Sequence, residues 1–127
     1  MRGATIQIAG LILVLHFVVA GCYQGHRRPR ALMAQNDMRA LAHACLEFRR
    51  VQQRWPASFE ELTSPTLGPG GEPCLSQIPD DPWTYQPYLV ETGIDGEPVF
   101  VSYGSDSVPG GEGEEADLRL SALDVEG

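Results

Sequence analysis

The stretch ALMAQNDMRALAHACLEFRRVQQRWP, residues 31–56, decides the fold. It runs without glycine or proline from Ala31 to Arg54 and is rich in strong helix formers. Met38, Leu41, Cys45 and Phe48 fall at steps of three and four, with Val51 and Trp55 continuing the series, so one side of a helix is apolar. Arg39, His43, Glu47, Arg50 and Arg54 occupy the other side. Pro56 ends the element, because a proline lacks an amide donor and disfavours a helical residue before it. One such helix cannot bury its own stripe, and another layer must cover it.

That layer is predicted downstream. Tyr85–Glu91 and Pro98–Tyr103 are rich in aromatic and β-branched residues and flank Asp95-Gly96, which favours a tight turn. An antiparallel hairpin follows, its loop falling within residues 92–97. Leu118, Leu120 and Ala122 alternate with Arg119 and Ser121 and predict a short last strand. Tyr85, Tyr88 and Phe100 read as sheet residues that cover the helix. Ser58, with Glu61 three residues on, predicts a capping box for a short second helix ending near Leu62 or Thr63. Residues 64–73 and the IPDDPW stretch at 78–83 read as loop and turn. The fold class is therefore α+β, a long N-terminal amphipathic helix on a small antiparallel sheet.

Upstream, MRGATIQIAGLILVLHFVVAGC places Arg2 before a mainly apolar run from Ile6 to Ala20 and small residues before Cys22. This order is that of a secretory signal peptide. Val19-Ala20-Gly21-Cys22 resembles a bacterial lipobox, which implies diacylglycerol on the Cys22 sulfur and cleavage before it. An uncleaved membrane helix is the competing reading. The apolar core is short of the ~20 residues a span needs, and Gln7 and His16 dilute it. The expected division is a signal peptide over 1–21, a lipidated tether over 22–30 and one globular domain over 31–127. Tyr23 stands where an aspartate often signals retention at the inner membrane, which favours an outer-membrane anchor facing the periplasm or the cell surface.

Charge divides along the chain. Residues 22–55 hold seven arginines against Asp37 and Glu47, whereas residues 56–127 hold fifteen acids against Arg119 alone. Nucleic acid is a poor partner for so acidic a surface. Arg27, Arg28 and Arg30 suit either a solvated tether or the head groups of an anionic membrane. Beyond Cys22, the remaining Cys45 and Cys74 form an even pair, read as a disulfide in an exported protein or as two buried thiols.

Residues 104–117, GSDSVPGGEGEEAD, combine four glycines with Asp106, Glu112, Glu114, Glu115 and Asp117. Five acids in one short loop repel unless solvated or neutralised. Calcium suits such a loop because it accepts six to eight oxygens, backbone carbonyls included, in flexible geometry. Zinc lacks its thiol and imidazole ligands here. Catalysis has little support in the pattern: no serine has an evident base and orienting acid, Cys45 lies on the packing side of the helix, and spacing alone does not set two acids across a cleft.

The motifs DDPW at 80–83, YQPY at 85–88, VFVSYGSDSVPGGEGEEADL at 99–118 and RWPASFEEL at 54–62 together resemble the globular head of the G-type major pseudopilin of type II secretion. The resemblance implies a noncatalytic head with a structural calcium ion in the acidic loop. Carried over by position, its side-chain ligands are Asp106 and Asp117, then Glu115, with carbonyls near Tyr103 and Glu115 completing the shell. Where that family has a type IV leader and an apolar helix, this chain has a lipobox followed by YQGHRRPR. The expected function is thus a lipid-anchored envelope protein with a calcium-stabilised pseudopilin-like head in a structural or protein-binding role. The alternative is an accessory component of a type II secretion or type IV pilus-like machine. Expected partners are the membrane and envelope or secretion-system proteins.

Overall fold

A computed structural model of the chain describes residues 29–125. The expected signal peptide, Cys22 and the expected tether up to residue 28 lie outside the described residues.

Helix α1 spans Arg30–Gln52 and buries Ala34, Met38, Leu41, Ala42, Ala44, Cys45 and Phe48. Each large apolar side chain fully withdrawn from water contributes about 1.5–3 kcal/mol. The stripe stops at Phe48. Val51 is 40% exposed, because the helix closes two residues before the position expected from Pro56. Gln53 turns left-handed at φ 60°, and its N–H donates to the Arg49 carbonyl at 2.8 Å. Its side-chain amide also donates to the Arg50 carbonyl at 2.9 Å. A local side-chain bond therefore supports a turn for which glycine is the usual residue. The reversed chain lays the half-buried Trp55 beneath the Arg49 guanidinium, 4.5 Å from the ring centre.

The second helix, α2, covers Phe59–Thr63. Ser58 stands at its N-cap without a side-chain capping bond, so the expected capping box is not made. Glu61 is engaged elsewhere: its carboxylate accepts from the Ala57 N–H at 2.7 Å and from Arg54 at 2.5 and 3.1 Å. Arg54 and the Ala57 amide hold the Glu61 carboxyl below its ordinary range, the arginine first. The pair fastens the end of α1 to α2 on an exposed surface, where such a bond contributes little.

Three antiparallel strands, β1 (Leu89–Thr92), β2 (Pro98–Ser102) and β3 (Leu118–Ser121), form a sheet in the order β1-β2-β3. Val90 pairs with Phe100, and Phe100 with Leu120, so these three share a face. That face meets α1: Phe100 is in the core, and Leu118 and Leu120 pack against it. Ala122, expected at the end of the last strand, is buried in the single helical turn Ala122–Val125. The hairpin closes with the Gly93 N–H donating to the Glu97 carbonyl at 2.8 Å. Glu97 is itself buried and accepts from the Asp95 N–H at 2.9 Å. A side chain at Gly93 would run into that carboxylate.

The hairpin's first arm is shorter than predicted. Tyr85 has φ 57° and is 70% exposed, so it belongs to the preceding turn and covers nothing. Tyr88 does cover the helix. Its hydroxyl donates to Asp37 Oδ2 at 2.7 Å, a bond to a carboxylate of the sort that contributes about 1.5–3 kcal/mol. Burial, followed by that bond, pushes the phenol well above its usual range.

Candidate functional site

The acidic loop leaves β2 through a buried hub. Asp81, 4% exposed, is the second aspartate of DDPW. One of its oxygens accepts from the Ser102 hydroxyl at 2.5 Å and the other from the Trp83 N–H at 2.9 Å. Its own N–H donates to the Gln86 carbonyl at 2.9 Å, and its carbonyl accepts from the Tyr85 N–H at 2.8 Å. Ser102 Oγ in turn accepts from the Gly104 N–H at 3.3 Å. One side chain thus shapes the Asp-Pro-Trp turn, pins it to the end of β2 and, through Ser102, sets the first residue of the loop. The sequence pattern missed Asp81 as a positioning residue. Its signal was the Asp-Pro step, where a short acid caps its own turn.

The loop itself is built from tight turns, Gly104–Asp106 and Gly113–Glu115, which pack against each other. Five residues, Gly104, Ser107, Gly110, Gly111 and Gly113, have positive φ. Gly111 is the most constrained of them, because at φ 96° any Cβ would also strike the Glu115 carbonyl. Asp106 Oδ1 accepts from the Val108 N–H at 3.1 Å. Asp117 Oδ1 reaches across the loop to the Gly110 N–H at 2.9 Å. The two aspartates thus hold separate turns, each through one oxygen, while Glu115 and Glu112 are exposed. Among the described residues there is no group of three or more His, Cys, Asp or Glu side chains that could hold a metal ion. Each of the two aspartates uses a single oxygen toward the protein. Asp106 and Asp117, rather than Glu115, are the side chains that the loop fixes in place.

Cys45 is buried and Cys74 half-buried, and both are free thiols in the structure. They belong to one apolar cluster. Burial pushes the Cys45 thiol up to about 12, with Cys74 adding to the effect. Such a thiol is protonated at neutral pH and a poor nucleophile. His43 is exposed on α1.

Among the described residues, no helix is long and apolar enough to cross a membrane. The model of the family described as Type II secretion system (T2SS), protein G matches residues 23–121. No curated protein matches the chain.

Proposed function

We propose that this chain, which belongs to the type II secretion system protein G family, is held at the bacterial envelope by lipid on Cys22 and presents a calcium-stabilised head to secretion-system partners. Domains of this family are noncatalytic, with a structural role associated with type II secretion, and the chain is not an enzyme. The single observation that carries the reading is the family match beginning at Tyr23, one residue after a lipobox that closes an apolar leader. On this reading the head follows a lipid anchor where an apolar helix would otherwise tie it to a filament. This favours an accessory component of the secretion machine, or of a type IV pilus-like one, over a filament subunit. Mild crosslinking in cells followed by co-purification tests the role. Pilin-like or secretin partners are expected. Their absence from crosslinked material would leave an independent envelope protein and defeat the accessory reading.

In the acidic loop, Asp106 and Asp117 would hold calcium together with backbone carbonyls, and Glu115 is the third candidate. The ion would neutralise the acids and stabilise the folded loop by mass action. Titration calorimetry of the chelator-treated chain should give binding heat at up to millimolar calcium and a raised melting temperature. Asp117→Ala should abolish both. An unchanged melt and no heat would reject the site.

In an oxidising compartment Cys45 and Cys74 would pair, restricting the unfolded chain by about 3–4 kcal/mol. Labelling of the unfolded, unreduced protein should find neither thiol reactive. Two labelled thiols would show them free.

A further inference from the structure

We propose that the open edge of β1, with the groove beneath it, takes an extended peptide segment as a fourth strand. The segment it fits has apolar side chains at every second position and at least one lysine or arginine.

β1 lies at the end of the sheet, and all four of its residues are exposed. Beyond its ladder with β2, no backbone group of Leu89–Thr92 is bonded to protein among the described residues. Open edges are commonly guarded by a lysine, a proline, a bulge or a projecting charge. Here the strand reads Leu-Val-Glu-Thr, and Leu89 and Val90 are each about half exposed, 49% and 50%. Its one charge, Glu91, is drawn back across the sheet into an ion pair with Arg119 of β3. The edge is thus left with open hydrogen-bonding groups between apolar side chains.

Beneath it, a groove of about 490 Å³ runs between the helix-facing side of the hairpin and the Trp55–Leu62 segment. Val90, Pro98 and Phe100 form one wall, and Trp55, Phe59 and Leu62 the other. Phe59 and Phe100 stack with ring centres 6.2 Å apart. A strand laid along β1 at the usual ~4.8 Å spacing would send alternate side chains into this groove while its backbone completes the ladder. The charged residues in the lining are Glu60 and Glu91, and no basic residue lines it. Glu60 makes no ion pair among the described residues. The incoming strand is therefore matched by a cationic residue.

Charge disfavours a second copy as occupant, since residues 56–127 of each copy hold fifteen acids against Arg119 alone.

Panning random twelve-residue peptides against the full chain in detergent micelles tests the proposal. The expected winners alternate apolar with polar residues and carry a lysine or arginine. For the best synthetic peptide, Val90→Lys should weaken affinity at least tenfold and Glu60→Lys at least threefold. Glu60 is exposed and Val90 half exposed, so circular dichroism should show both variants folded at the assay temperature. Arg39→Glu, on the exposed side of α1, should leave binding intact. No enrichment, winners without alternation, or binding indifferent to Val90→Lys would overturn the proposal. Self-association that Val90→Lys abolishes would assign the edge to a second copy and overturn it equally.

Discussion

Replacing Phe100 with alanine should cost about 3–5 kcal/mol, the usual range for emptying a large aromatic site in a core. Phe100 is 1% exposed, sits at the middle of the central strand and stacks on Phe59. It meets α1 on one side and groups with Val90 and Leu120 across the sheet. No neighbour can fill the space without breaking one of these contacts, so the cavity term is added to the lost transfer energy. Against a total stability of about 5–15 kcal/mol, the variant loses a large share of its folding free energy. In urea the midpoint should fall by about 2 M at an ordinary denaturant slope. Val51→Ala, on the same helix beyond the buried stripe, should change stability by less than about 0.5 kcal/mol. Equal losses at the two positions would contradict the packing described.

Asp81→Ala should cost about 2–4 kcal/mol, because it removes the partner of two donors at once and leaves them in a buried place. The Ser102 hydroxyl and the Trp83 N–H would both lose their acceptor. Asp81→Asn should cost less, since its amide oxygen still accepts one of the two. Ser102→Ala removes the same link from the other side, and a double-mutant cycle should therefore show coupling of about 1 kcal/mol or more. Because Ser102 also receives the Gly104 N–H, either substitution should loosen the start of the acidic loop. Faster hydrogen exchange at the Gly104 amide in these variants would tie the hub to the loop. Strict additivity of the two substitutions would show that the hub does not act as a unit.

The long helix and the last strand were legible because each carries a period. Met38, Leu41, Cys45 and Phe48 repeat at helical steps, and Leu118 and Leu120 alternate as a strand does. The errors came where a local bond competes with the pattern. Val51 and Trp55 continue the helical spacing, yet Gln53 turns the chain with its own side chain and no glycine announces the stop. Ser58 and Glu61 have the spacing of a capping box, but Arg54 and the Ala57 amide claim the carboxylate. Tyr85 has strand propensity, but Asp81 draws its N–H into the preceding turn. The buried acids Asp81 and Glu97 were invisible to periodicity because their role depends on which distant or turn-forming donors the fold delivers. In the acidic loop the residue types pointed to hard-cation chemistry. The structure adds which carboxylates are held, Asp106 against Val108 and Asp117 against Gly110.

The same separation of pattern from placement bears on function. An amphipathic helix under a three-stranded sheet is compatible with many roles, and the family match supplies the structural, secretion-associated one. What distinguishes this chain is the proposed exchange of an apolar filament helix for a lipid on Cys22. Mass spectrometry of the N-terminal peptide released from purified cell membranes tests that exchange most directly. The account predicts a peptide beginning at Cys22 and carrying a diacylglycerol thioether on its sulfur. A peptide that retains residues 1–21, or that begins at an unmodified Cys22, would contradict it.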